Sequence, residues 1–441
     1  MGVGVDWSRR DRLSYGALGT LAGLQIAVFA FVLWKTQIRT PFEDMLQWLH
    51  AYQRYRHGGD LTTYLFGFFQ EHRLVWMKLL TAVDASVFRS SGVMFIAVGT
   101  LATVGIAVLL TREVMRGLTG RGPVTALAWL CPMLVLTAPS GVDCSVPVNA
   151  VYPLTVLFVV GACVLFDGRG EAAGRVGVRR CVAVVLAAAA GLANAVGLLA
   201  WPVLLWSAWR GRAGPRWLIA IAVVGGGYGL AYLSGLPLPS GAVAPSAPDA
   251  VAKLFFYVFA YLGLPLSRLA ALRVAGEAWG AMLVAAGVAA VIRVGLVARQ
   301  ATRLERIATG LILFSVGGAV LAALGRSGYA AEIPVRYTVL VIPLHVGLLA
   351  LVLDWVGGRP VMVQRPGVVL ACGIAAGVVL LAQQVVVGRS AIVVAATMRG
   401  TIDRFYAGVH DPDIQRLVFQ SGLDQADAIV ADLRRDGLLA R

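Results

Sequence analysis

GALGTLAGLQIAVFAFVLW, residues 16–34, carries no charged side chain in nineteen positions. At about 1.5 Å of rise per residue, a helix of that length crosses the roughly 30 Å of hydrocarbon in a bilayer. Comparable apolar runs recur at 92–110, 123–139, 149–166, 181–199, 217–235, 278–297, 307–324, 338–355 and 367–387. Two shorter stretches, 199–209 and 252–270, fall below or interrupt that length. Only 14% of the 441 residues are charged against 59% hydrophobic; a soluble domain carries about 25% charged residues. The expected fold is therefore all-α, a polytopic transmembrane bundle.

The charged residues that remain are unevenly placed. The net charge is +15, yet only Lys35, Lys78 and Lys253 are lysines, and the arginines are spread over many short loops. That distribution fits topology determinants and lipid contacts, not a nucleic-acid stripe, and excludes nucleic acid as a partner. Arg9, Arg10 and Arg12 precede the first span. Arg112, Arg116 and Arg121, then Arg169 to Arg180, Arg210 to Arg216, Arg299 to Arg306, and Arg359 with Arg365 occupy alternate later loops. Loops 140–148 and 236–250 carry no cation. The positive-inside rule then places the N-terminus in the cytoplasm and the C-terminus in the periplasm of a bacterial inner membrane. Because both 167–180 and 210–216 are basic, the residues between them must go out and back as a short hairpin turning near Asn194 and Trp201-Pro202. Because 298–306 must also be inside, 252–270, with Pro265 in it, is expected as an interfacial or re-entrant element. The count is about eleven spans, with 10–13 compatible. The first span has no small-residue cleavage site after it and is expected to be retained. Cys131, Cys144, Cys163, Cys181 and Cys372 have no ligand or disulfide spacing and are expected as small apolar packers.

Residues 35–91 form the longest interior loop. Met45, Trp48, Leu49, Tyr52 and Tyr55 repeat at helical spacing, predicting an amphipathic helix over 43–57 that lies in the interface. Tyr64–Phe69 predicts a second juxtamembrane element, leading into Glu71-His72-Arg73. Glu43, Asp44, Glu71 and Asp84 concentrate acid on this loop, and Lys78 adds a cation. Asp44 has two readings: a first-turn acid interacting with the helix dipole, or a general base at the water–lipid boundary. The 391–441 tail is charged, with apolar residues at helical spacing over 424–434, and is expected to form a small periplasmic helical segment beside a 1–390 transmembrane domain.

Three local patterns, Glu71-His72-Arg73 with Asp84, Gly191-Leu-Ala-Asn194 with Trp201-Pro202, and Leu324-Gly-Arg326 with Arg336-Tyr337, sit on this arrangement of spans and long first loop. Together they resemble the GT-C glycosyltransferases, membrane enzymes that take sugar from a polyprenyl-phosphate carrier. The resemblance implies an inverting transferase of a hexose or pentose, such as arabinofuranose, to a glycan, lipid or protein acceptor at the periplasmic face. It implies an acidic base in the first outer loop, a position matched by Asp44, with Glu43 and Glu71 as its companions. A lipid-phosphate site would lie beneath, with His72, Arg73, Lys78, Asp84, Arg268, Arg326, Arg336 and Tyr337 as candidate substrate contacts. Arg326 and Arg336 stand in an outer loop, where cations are uncommon, and a guanidinium fork suits bidentate phosphate contacts. Arg268, Lys253 and Arg273 lie by the 252–270 element. An ordinary salt bridge, such as Glu332 to Arg336, is the alternative. No cofactor is required by this reading; Glu43-Asp44 is not an Asp-x-Asp, which leaves a divalent cation open.

A multi-span transporter or lipid-linked sugar flippase is the rival class. It would place ionisable groups mid-membrane and repeat one half in the other. No predicted span carries Asp or Glu near its centre, and no internal repeat is evident. His345, Asn194 and Gln383-Gln384 are uncommon in spans, and are expected to hydrogen-bond neighbouring helices.

Overall fold

The computed structural model describes residues 9–167, 173–236, 250–264, 273–326, 333–359, 365–409, 414 and 423–439. The protein is an all-α polytopic bundle. Among the described residues nine helices are long and apolar enough to span a membrane, or ten with one bent pair. The first is α1 (Arg9–Thr36). The first loop then folds as α2 (Asp44–Arg56), α3 (Leu61–Phe66) and α4 (Val75–Val87). Next come α5 (Val93–Gly117), the bent pair α6 (Leu130–Val135) and α7 (Ala138–Ser145), α8 (Val151–Phe166) and α9 (Ala173–Ala193). After them follow α10 (Ala200–Arg210), α11 (Pro215–Leu233), α12 (Ala250–Leu262) and α13 (Arg273–Ile292). The chain closes with α14 (Arg303–Arg326), α15 (Thr338–Gly357), α16 (Pro366–Tyr406) and α17 (Leu423–Arg435).

The expected span at 123–139 is a broken one, bent by 41° between residues 135 and 138. Pro139, at the start of α7, has no N–H to continue the α6 ladder. Inside hydrocarbon a freed backbone group must find a partner within the protein. Two buried glutamines supply it: Gln25 of α1 donates Nε2–H to the Leu136 carbonyl at 3.0 Å, and Gln384 of α16 accepts the Ala138 N–H at 2.8 Å. Thr137 adds a cap, accepting from Ser140 N–H at 3.2 Å. Gln384 thus joins two helices, as expected for a polar residue within a span.

The hairpin at 181–209 also forms. α9 stops at Asn194, whose Oδ1 accepts the Val196 N–H at 3.0 Å, and a 3-10 turn over Ala195–Leu199 leads into the short α10. The return arm, α10, is 11 residues and falls below the length of the long spans, so the described residues give nine spans, or ten with the bent pair, at the lower edge of the expected 10–13. The described part of α12 is 13 residues, shorter than a span, and 265–272, the rest of the expected interfacial or re-entrant element, lies outside the described residues. α12 packs antiparallel on α13 with no side chain between backbones at two points: a Cβ on Gly263 would fall 1.9 Å from the Gly276 carbonyl, and one on Gly280 1.8 Å from that of Phe259.

The basic loops gather at one end of the bundle and are cross-tied there. Arg306, with no exposed surface, donates Nε–H and Nη2–H to the two Asp167 carboxylate oxygens at 2.7 and 2.6 Å. Arg303 pairs with Glu113 at 2.9 Å, Arg121 with Asp354 at 2.9 Å, and Arg210 reaches the Ala298 carbonyl at 2.6 Å. At the opposite end, α16 runs unbroken through residue 390 for 41 residues, about 60 Å, and its last turns meet the tail. Ile402 and Phe405 bury with Ile38, Phe42, Leu46 and Leu49 of the first loop and with Ile429, Val430 and Leu433 of α17. Gln53 donates to Asp436, on the far side of that core, at 2.5 Å. The tail helix is therefore a brace on α2.

Asp167→Ala would leave Arg306 buried without its counter-charge, at a cost of about 3–5 kcal/mol. Denaturation in detergent should show a loss of that order, against about 1–3 kcal/mol for Gln384→Leu, which strands one backbone N–H.

Candidate active site

The first turn of α2 sets the site. Phe42, Met45 and Leu46 are essentially buried, so the chain enters the helix anchored on both sides of Glu43 and Asp44. Glu43 pays for that anchoring with φ 48°, a left-handed backbone uncommon for a residue with a side chain. Its carboxylate makes no capping hydrogen bond, whereas Asp44 stands in the first turn of α2, where an acid meets the helix dipole favourably, as the dipole reading expects. Both acids are half-buried. Burial pushes the Glu43 carboxyl up to about 7, opposed by Arg336 and reinforced by Asp44. Burial also raises Asp44, against the pull of Arg336 and Arg326, with Glu71 adding to the rise.

The second wall comes from a tight turn. Phe69 and His72 exchange backbone hydrogen bonds at 2.8 and 3.0 Å, with Gln70 at φ 52° between them, and this turn presents Glu71 and His72. Tyr64–Phe69 is accordingly not one continuous helix: α3 ends at Phe66, and Gly67 opens the turn. His72 Nε2 lies 3.5 Å from Glu71 Oε1, and Arg326 Nη2 lies 3.6 Å from the same oxygen. Burial, helped by the nearby Arg326, lowers His72 to about 4 despite Glu71, so the imidazole is neutral near pH 7. Its buried Nδ1 has no hydrogen-bond partner among the described residues.

The third wall holds the cations. Arg326 ends α14, and Arg336-Tyr337 form the 3-10 turn that begins the next span. Arg326 sits 5.7 Å from the Tyr337 ring centre, and Tyr337 meets Tyr152 at 5.6 Å and Tyr261 at 5.4 Å. Arg336 adjoins Tyr337 in the chain, and its buried Nε has no partner among the described residues. Glu332, the alternative salt-bridge partner, lies outside them. Glu43, Asp44, Glu71, His72, Arg326, Arg336 and Tyr337 thus share one electrostatic neighbourhood, built from the first loop and two distant helix ends. The two guanidinium groups act electrostatically on the half-buried acids, and Tyr337, Tyr152 and Tyr261 form an aromatic floor beside them. Such a site can bind a phosphate and take a proton.

The other candidates are spent on structure. Arg73 donates to the carbonyls of Phe66, Tyr232 and Ser234 at 2.5, 3.0 and 2.6 Å and lies on the Phe68 ring, pinning the turn to α11. Lys78 is 5% exposed and donates to the Gly67 carbonyl at 2.6 Å, and burial pushes its ammonium down to about 8. Asp84, also buried, accepts from Gly92 and Met94 N–H at 2.8 and 3.0 Å, capping α5. Gly92 is required there: its φ is 73°, and a Cβ would meet Pro147 at 2.6 Å. Arg268 lies outside the described residues. Among those described, no group of three or more His, Cys, Asp or Glu side chains is placed to hold a metal.

Sequence reading missed Tyr152 and Tyr261 in the aromatic floor, and Asp143, buried on α7 beside the Val335–Tyr337 turn. The tyrosines stand near helix ends, where aromatic belts place them in any membrane protein. An acid within the apolar Pro139–Val148 stretch was a signal for Asp143.

Because Arg336 stabilises both carboxylates, its removal should raise their protonation range. In a carboxyl-labelled NMR or infrared titration, Glu43 should ionise near pH 7 in the native protein. It should ionise at higher pH in Arg336→Gln; an unmoved titration would separate the arginine from the acids.

No family model matches the chain, and no curated protein matches it. A solved structure that it resembles is the crystal structure of ArnT from Cupriavidus metallidurans bound to undecaprenyl phosphate. The TM-score is 0.45 and the sequence identity 14%, with 96% of this chain and 76% of that chain covered.

Proposed function

We propose that this chain is an integral membrane glycosyltransferase of the GT-C kind, moving a sugar from a polyprenyl-phosphate donor to an acceptor hydroxyl at the end of the bundle opposite the basic loops. That end is the periplasmic one under the positive-inside rule. The observation that carries the reading is the meeting of uncapped, half-buried Glu43 and Asp44 with Arg336 and Arg326. A soluble-side ion cluster would solvate its acids; here they are held basic and beside permanent cations. The polyprenyl tail would lie among the spans, with its phosphate on Arg326 and Arg336.

Asp44 takes the acceptor proton as the acceptor oxygen attacks the anomeric carbon. The carbon–oxygen bond to phosphate breaks on the opposite face, and configuration inverts. The phosphate departs with its bonding pair, and the two guanidinium groups stabilise the charge that develops on it. Glu71 and neutral His72 orient sugar or acceptor hydroxyls. Burial keeps the proton affinity of Asp44 high, with Glu71 adding to it, as a base working near neutrality requires.

The test is a transfer assay in nanodiscs with radiolabelled polyprenyl-phosphate sugars. Asp44→Asn should lose on the order of 10² to 10⁴ in rate with the fold intact; wild-type turnover would remove Asp44 as base. A base acts ionised and burial raises Asp44, so kcat/KM should hold at high pH and fall as pH drops through a range above the ordinary carboxylate one. Glu71→Gln should move that limb to lower pH.

A further inference from the structure

A second concavity lies one helical turn along α2 from Asp44. Asp44, Trp48, Ala51 and Tyr55 follow at i, i+4, i+7 and i+11, one face of the helix. The last three line a cavity of about 610 Å³, closed on its other sides by α3, the Gly67–Phe69 turn and Ile429 of the tail helix. That volume falls within the roughly 300–1,000 Å³ range of small-molecule sites. Its near wall is shared with the candidate active site: Trp48 meets Phe69 edge-on at 6.0 Å, and Phe69 is the hydrogen-bonded partner of His72.

The lining decides what it takes. Tyr55 stacks on Tyr64 with ring centres 5.2 Å apart, and Phe68 adds a third aromatic ring. Between these rings stand hydrogen-bonding groups of both senses: the Arg54 guanidinium, the His50 imidazole, the Thr63 hydroxyl and the Asp60 carboxylate. Trp48 is 2% exposed, yet its indole N–H has no hydrogen-bond partner among the described residues, and neither has His50 Nδ1. By contrast a groove on the membrane flank, lined by Tyr15, Val104, Val108, Met115, Trp129 and Leu136, is chiefly apolar and suits acyl chains. Flat apolar rings alternating with donors and acceptors match a saccharide, which offers apolar C–H faces and a rim of hydroxyls. A lipid tail would leave the polar groups unpaired.

We propose that this cavity is a saccharide-binding site on the acceptor side. It would hold sugar units of the acceptor beyond the one that reacts at Asp44, which makes the acceptor a glycan rather than a bare lipid or protein. The inference rests on the transferase reading for its role, but its test reads binding alone.

Neutral oligosaccharides of two to four units, with α- and β-linkages, would be screened against the full chain in nanodiscs by saturation-transfer NMR, beside tripeptides as controls. At least one oligosaccharide should bind, and Tyr55→Ala should weaken it roughly three- to tenfold. Arg54→Ala, at an exposed position that does not endanger the fold, should weaken it as well. No oligosaccharide binding, binding indifferent to both variants, or binding of tripeptides alone would each overturn the proposal. Saccharide binding through this cavity without transfer from polyprenyl phosphate would instead reject the transferase reading. Transfer that is indifferent to both variants would reject the saccharide site alone.

Discussion

Arg336 facing Glu43 and Asp44 is the interaction on which the arrangement depends. Half-burying two adjacent carboxylates is unfavourable unless a cation accompanies them. The guanidinium and its neighbour Arg326 serve that purpose, and the acids in turn hold cations at an otherwise apolar bundle end. Neither partner is sequence-local. Glu43 and Asp44 follow the first span, whereas the arginines end one late span and begin the next. The long helices thus bring together charges that neither segment could keep near hydrocarbon alone.

The same economy governs the scaffold. A break in a span is tolerated only where another helix completes its hydrogen bonds, and Gln25 and Gln384 do so for the bend between residues 135 and 138. The tail helix and the end of α16 bury the back of α2, so the strained entry at Glu43 is supported from behind. Rigid support of this kind is what a base held at a membrane boundary needs, because the acids must not relax toward solvent.

Much of this was legible in the sequence, and the parts that were not have physical reasons. Runs of about 18 to 22 apolar residues fix spans because hydrocarbon thickness is constant, and the basic loops at 167–180 and 210–216 forced the short hairpin that α9 and α10 form. The acids at 43–44 and 71 and the cations at 326 and 336 stood out by residue type in unusual places. Arg73, Lys78 and Asp84 stood out equally, yet their partners are backbone groups, which a sequence does not display. The helix over 43–57 was readable by its period, but its apolar face meets Phe95, α4 and the tail rather than lipid. The aromatic floor of Tyr152, Tyr261 and Tyr337 was hidden among residues that membrane boundaries favour anyway.

The central claim is that the guanidinium pair holds a lipid-borne phosphate. Native mass spectrometry of the chain released from nanodiscs containing a polyprenyl phosphate measures this directly, with Arg336→Gln as the comparison. The expected result is one retained polyprenyl phosphate per chain, with retention weakened at least about tenfold in the variant, the scale of one lost charge-assisted contact. Equal retention by the two proteins, or none by either, would contradict it.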